Sequence, residues 1–236
     1  MRERSLLASL RFWNHSKNIS MKQISNSEWH RLLNLYVADE ESMRPALMKP
    51  FEQDGYVCAT DTHTLIRVDK KYITDDYTTQ SKVPNVSKVI PEPNPTFAIT
   101  DNELRKAFSI LRLDYDTTIV DCPECDDECE VEWEYTDRDG DKHTMYGECP
   151  CCNGTGRVPN GADKICEIGD KTICSHFILL LYHVMIALGI GEIKGTFGDK
   201  GQILFHIENG IDVVVMSCLH DKNSSKLRAP IKVTKL

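Results

Sequence analysis

No apolar run in this chain is long enough to cross a bilayer. The longest, Phe177 to Ile190, falls short of the ~20 residues that a spanning helix needs and is interrupted by His183. No secretory apolar segment precedes the ten cysteines, which points away from a disulfide scaffold and toward reduced thiols in a cytoplasmic setting. Positive charge is scarce. Lys and Arg number 28 against 36 Asp and Glu, a formal net charge of -8, which argues against a protein that coats nucleic acid with a generally basic face but leaves room for a local basic patch. Catalytic signatures are missing too. There is no nucleophile elbow, no Walker-type phosphate loop and no pair of metal-binding histidines on a helix, and pairs such as Asp75-Asp76 and Asp126-Asp127 read as solvated charge. Nothing compels an enzyme.

What the chain does have is cysteine in pairs. Cys122-Pro123-Glu124-Cys125 is followed by Cys149-Pro150-Cys151-Cys152 and then Asn153-Gly154-Thr155-Gly156. Two residues between cysteines let both thiolates bend onto one ion, and two such knuckles complete the closed sulfur tetrahedron that Zn²⁺ prefers. The glycines after Cys152 permit the positive φ that a knuckle turn needs. The spacing therefore predicts one structural Zn²⁺ on Cys122, Cys125, Cys149 and Cys152, with no open position for substrate or water. Cys129 and Cys151 read as bystanders or redox-sensitive neighbours, and Cys58, Cys166, Cys174 and Cys218 as small core residues. His143 lacks knuckle spacing. His63 reads as a turn residue and His183 as a core or interface histidine. Acidic residues crowd the unit (Asp126, Asp127, Glu128, Glu130, Glu132, Glu134), which makes it a poor phosphate binder.

At 236 residues the chain can hold one substantial core plus a small appended unit. Residues 1–20 read as a leader or disordered extension, and Met21 opens a more regular pattern. Ser25 and Glu28 form a capping box before a helix with Trp29, Leu32, Leu33 and Tyr36 on one face. Strands are expected over Ala46 to Glu52, Tyr56 to Thr60 and Thr64 to Val68. Residues 74–95 read as linker or edge loop, and Thr100 with Glu103 caps a second helix. Glu130 to Tyr146 alternates around Asp139-Gly140-Asp141 as a two-stranded arm would. Phe177 to Leu188 reads as a buried helix stopped by Gly189, and three final strands end near Cys218, with Asn209-Gly210 as a hairpin turn. The tail from Asp221 is expected to be loose until Ile231.

Three stretches carry a resemblance. The first runs from the capped helix through Arg44-Pro45-Ala46-Leu47 to Ala59-Thr60-Asp61-Thr62-His63. The second is Ile165 to Leu188, and the third Glu192 to Met216. In this order they resemble the bacterial DNA sliding clamp, the polymerase III beta subunit, with Thr62 where that family's phrase has glycine. The resemblance implies a clamp repeat: two helices backed by a curved sheet, in β-α-β-β-β order taken twice. A clamp chain carries three repeats, so this one corresponds to about one and could not encircle DNA as an ordinary dimer. The closest positional analogues of clamp phosphate contacts are Arg31, Arg105 and Lys106. Arg44, Lys49, Arg67, Lys70, Lys71, Lys82, Lys194 and Lys200 read as scattered surface charge. Separately, Cys149 to Gly156 resembles the Cys-x-x-Cys-x-Gly-x-Gly repeat of DnaJ-type chaperones; the first knuckle has Asp126-Asp127 instead of glycine, and no J-domain is present.

The reading is an α+β protein with two or three helices on an antiparallel sheet. The clamp-like core spans 21–121 and 158–220, with a zinc ribbon at 122–157 inserted and a tail at 221–236. The expected function is a non-enzymatic, clamp-like replication accessory or partner-docking protein, phage- or mobile-element-encoded, with a protein partner and a weaker claim on DNA. The alternative is a zinc-stabilised interaction module that sets its acidic arm against a basic protein, without DNA.

Overall fold

A computed structural model describes residues 21–39, 44–78, 83–113, 119–208, 210–218 and 227–236. Residues 1–20, Lys82 and Asn209 lie outside them, and with them the expected leader and half of the expected Asn209-Gly210 turn.

The chain begins with α1 (Asn26–Asn34), where the Ser25 hydroxyl accepts the Glu28 N–H at 3.2 Å and Trp29, Leu32 and Leu33 are buried. An antiparallel meander follows: β1 (Phe51–Gln53), β2 (Tyr56–Thr60) and β3 (Thr64–Asp69). Its first reversal uses Asp54 and Gly55, both at positive φ. In the second, the Asp61 carboxylate accepts the N–H groups of His63 and Thr64 at 2.9 and 2.6 Å. The strand expected from Ala46 begins only at Phe51. Pro45 fixes its φ in the helical range, and Pro45–Leu47 forms a short 3₁₀ turn instead.

After β4 (Phe97–Thr100), Thr100 caps α2 (Asp101–Leu111) by accepting the Glu103 N–H at 3.3 Å, and Leu104, Ala107, Phe108 and Leu111 are buried as the stripe requires. Later, β9 (Ile165–Ile168) and β10 (Lys171–Cys174) lead into α3 (Ser175–Leu188), apolar on most sides and closed by Gly189 at φ 70°. A second meander then repeats the first: β11 (Glu192–Phe197), β12 (Gln202–Glu208) and β13 (Ile211–Met216).

The two meanders meet through β3 and β13, so the main sheet runs β1-β2-β3-β13-β12-β11 and continues into β4. A helix followed by three strands occurs twice, and the copies join strand three to strand three. All three helices pack on one face, where Val57, Ile66, Val213, Ile203 and Phe205 point toward Leu33, Phe108 and Leu181 in one continuous core. The opposite face carries a smaller cluster of Phe51, Cys58, Leu65, Leu204 and Val214. Val86 from the expected linker lies in this cluster, so part of that segment is sheet cover.

Of the expected tail, residues 221–226 lie outside the described residues, and the part from 227 onward is revised. Arg228–Ile231 forms β14, parallel to β9, and Thr234–Lys235 forms β15 against β4. Ala229 and Ile231 are buried, and their alternation with Arg228 and Pro230 is a strand signal too short to stand out in a polar stretch.

Gly195 sits opposite Phe97 in the β11·β4 register, and the Phe97 ring lies over it. A Cβ at 195 would fall 2.1 Å from the ring, and that ring is buried between Phe197 and Phe205. Gly195→Ala is therefore expected to cost about 1–3 kcal/mol through overpacking, read as a lowered melting midpoint.

Candidate metal centre

The body hands the chain to the cysteine unit through β5 (Ile119–Asp121) and takes it back through β8 (Arg157–Pro159), which pair antiparallel. Beyond the cysteines, β6 (Glu130–Thr136) and β7 (Lys142–Glu148) form a second antiparallel ribbon. The Asp137 carboxylate ties its turn by accepting the N–H groups of Asp139 and Asp141 at 3.0 and 2.9 Å, with Gly140 at φ 93°.

Between the ribbons the two knuckles copy one another. Cys122 N–H donates to the Gly156 carbonyl at 2.8 Å, and Cys149 N–H to the Cys129 carbonyl at 2.9 Å. After Cys125 the positive φ values fall at Asp126 (48°), Asp127 (76°) and Cys129 (67°). After Cys152 they fall at Asn153 (52°), Gly154 (74°) and Gly156 (73°), the same three offsets. Asp and Asn tolerate this region better than most side chains, so the aspartates that break the glycine pattern in sequence keep the turn in space.

This geometry brings Cys122, Cys125, Cys149 and Cys152 together. All four are buried, and their sulfurs lie within 4.8 Å of one another. Cys122 Sγ is 3.8 Å from Cys149 Sγ, and Cys125 Sγ is 3.7 Å from Cys152 Sγ. Sulfurs placed about 2.3 Å from a tetrahedral ion are separated by about 3.8 Å, whereas a disulfide needs about 2.05 Å. The four residues lie close enough to hold a metal ion.

The surroundings favour thiolates unequally. Desolvation opposes ionisation at Cys122, but the N–H groups of Glu124 and Cys125 outweigh it and bring the thiol down to about 7. At Cys152 the same burial is outweighed by Gly156 N–H, 3.2 Å from the sulfur, and the thiol is lowered. Cys125 is pushed up to about 12 by desolvation and by sharing a proton with Cys122.

Cys151 is exposed. Cys129, half-buried, donates to the Asp127 carbonyl at 3.5 Å, and neither joins the four. His143 is held by Asp137 at 2.8 Å, and His63 stacks on Phe177 with ring centres 5.9 Å apart. His183 is half-buried on α3.

Several of the basic residues singled out in the sequence are engaged by acids. Lys70 pairs with Glu52, Lys71 with Asp69 at 3.0 Å, Arg105 with Asp101 at 3.5 Å and Lys106 with Glu103 at 2.6 Å. Arg31 is exposed on α1.

One constellation was not foreseen from sequence. On the sheet face away from the helices, the register sets Arg67 opposite Asp212, Asp212 opposite His206, and His206 opposite Lys194. Arg67 Nε donates to Asp212 Oδ2 at 2.7 Å, and His206 Nδ1 lies 2.7 Å from Asp212 Oδ1. The Asp212 side chain is only 8% exposed. Desolvation raises its carboxyl, but the bonds from His206 and Arg67 prevail and hold it below the usual carboxylate range. The row lines an open cleft of about 610 Å³ with Tyr56, Pro93 and Pro95. A lone acid in Ile211-Asp212-Val213-Val214-Val215 was the available signal, since an unpaired charge in a buried strand is costly.

No family model matches the chain, and no curated protein matches it. Among solved structures it is similar to the DNA polymerase III subunit beta of Pseudomonas aeruginosa, with a TM-score of 0.44 and 14% identity over 88% of this chain and 69% of that one. It is similar as well to the Bacillus subtilis DNA polymerase sliding clamp, with a TM-score of 0.43 and 11% identity over 91% and 68%. For Caulobacter crescentus pol III beta the TM-score is 0.44, with 11% identity over 89% and 70%.

Proposed function

We propose that the chain is a non-enzymatic, sliding-clamp-like accessory of DNA replication that docks partner proteins. Its residues 122–157 form an inserted ribbon around one structural Zn²⁺ held by Cys122, Cys125, Cys149 and Cys152. The observation that carries the reading is the internal duplication: α1 with β1–β3, and α3 with β11–β13, joined across β3 and β13. The sequence resemblance implies a β-α-β-β-β unit taken twice, and the α-β-β-β part of it is what recurs here, with no strand before α1 among the described residues. The sulfur spacing supports zinc, and the matched left-handed turns support a double knuckle of the DnaJ type.

The test uses purified components. Retention on primed DNA that weakens with salt, or direct binding to a purified replicative polymerase, is the expected result. Failure of both would overturn the replication reading.

A second reading has its own support. The helix cations Arg105 and Lys106 are paired with acids, while the ribbon beyond the cysteines carries an excess of carboxylates. This favours a basic protein partner whose binding does not depend on DNA.

A further inference from the structure

The β6·β7 ribbon has two faces of opposite character. Strand alternation places Val131, Trp133 and Tyr135 with Gly147, Met145 and His143 on one face. Glu130, Glu132 and Glu134 stand on the other, opposite Glu148, Tyr146 and Thr144.

On the first face Trp133, Tyr135 and Met145 are 45%, 49% and 54% exposed. Trp133 and Met145 are direct cross-strand partners, and Tyr135 stacks on His143 with ring centres 5.3 Å apart. Gly147 gives the indole its place: a Cβ there would lie 3.3 Å from Trp133 Cδ1 and Nε1, so bare backbone lets the ring lie across the ribbon. Large apolar groups adjoining on an uncovered strand pair mark an interaction surface.

The second face says what kind of partner. Glu130 stands directly opposite Glu148, a like-charge pairing that destabilises a ribbon. Among the described residues the ribbon's ion pairs are Lys142 with Glu134 and His143 with Asp137, which leaves Glu130, Glu132 and Glu148 without a cation.

We infer that this ribbon is a docking finger for a basic polypeptide segment in which Lys or Arg alternates with aliphatic side chains. The inference rests on the partner-docking part of the reading above and adds the face and the chemistry. Cations sit favourably over indole and phenol rings, and a methionine thioether adapts to aliphatic neighbours. The carboxylates stand on the opposite face of the same two-stranded ribbon and give it a negative field that attracts positive charge and weakens with salt. The rings alone could stack nucleic-acid bases, but these carboxylates repel phosphate, so a polypeptide is the occupant.

The experiment measures fluorescence anisotropy of a labelled peptide of alternating lysine and leucine on the full, metal-loaded chain. A glutamate–leucine peptide and an oligothymidylate serve as comparison probes. The lysine peptide is expected to bind and to perturb Trp133 fluorescence. Trp133→Ala or Met145→Ala should weaken it about tenfold or more. The triple change Glu130→Gln, Glu132→Gln, Glu148→Gln should weaken it and flatten its salt dependence. Equal binding by all variants, or preference for either comparison probe, overturns the inference. Metal content is measured alongside: a metal-free wild type that still binds through Trp133 would sink the zinc reading and leave the docking face standing.

Discussion

Stripping the metal, by chelation or by the double change Cys149→Ser, Cys152→Ser, is expected to unfold residues 122–157 and leave the sheet and its helices intact. The reason is the size of what would remain. The apolar centre of the unit is the four thiols and Val158, with only Val131 and Ala162 packed against them. Both strands of the outer ribbon are exposed along most of their length. A structural Zn²⁺ contributes apparent binding free energy of about 10–16 kcal/mol at neutral pH, and in a unit with almost no core that is also its folding free energy. Elemental analysis should find about one zinc per chain in the wild type and none in the double variant. Limited proteolysis should then gain cuts within 122–157 that the metal-loaded protein lacks. Acid acts in the same direction, because protons compete with the ion for sulfur. Wild-type protein without metal, or a double variant that keeps its metal, would refute the assignment.

The second large effect is expected at Asp212. Replacing it with Asn leaves Arg67 and His206 facing a group without charge on a half-buried surface, and breaking such a pair costs about 3 kcal/mol. The pH dependence follows from the direction of the shift. The folded carboxyl lies below its unfolded value, so its contribution is fully present above about pH 4 and is lost as pH falls through the folded value. Urea unfolding from pH 7 to pH 3 should show the wild type losing its advantage over Asp212→Asn in that acid window. A constant difference across the range would show that the row adds nothing through charge.

Much of this was legible from residue types. The helix N-caps at Ser25 and Thr100, the apolar helix ending at Gly189, and the Asp139-Gly140 turn are local signals, and they survive into the fold, although the return bonds from Glu28 and Glu103 that would complete a capping box do not form among the described residues. The cysteine pairs were legible for the same reason, since a knuckle is four residues long. Pairing across long separations left no such trace. Arg67 and Asp212 are 145 positions apart, and nothing near either residue announces the other. The strand at Arg228–Ile231 was missed because only Ala229 and Ile231 face inward, and the 3₁₀ turn at Pro45 because apolar Ala46 and Leu47 read equally well as extended. The equivalence of Asp126-Asp127 to a glycine-bearing turn is written in backbone angles alone.

The seam between β3 and β13 has a consequence for biosynthesis. When β3 leaves the ribosome its hydrogen-bonding edge has no neighbour, and that neighbour arrives only after the cysteine unit and α3 have been translated. The first half must therefore wait, tethered and incomplete, with an open edge that invites wrong association until the second half closes it. Premature termination anywhere before Ile211 would release a fragment that cannot finish its own sheet.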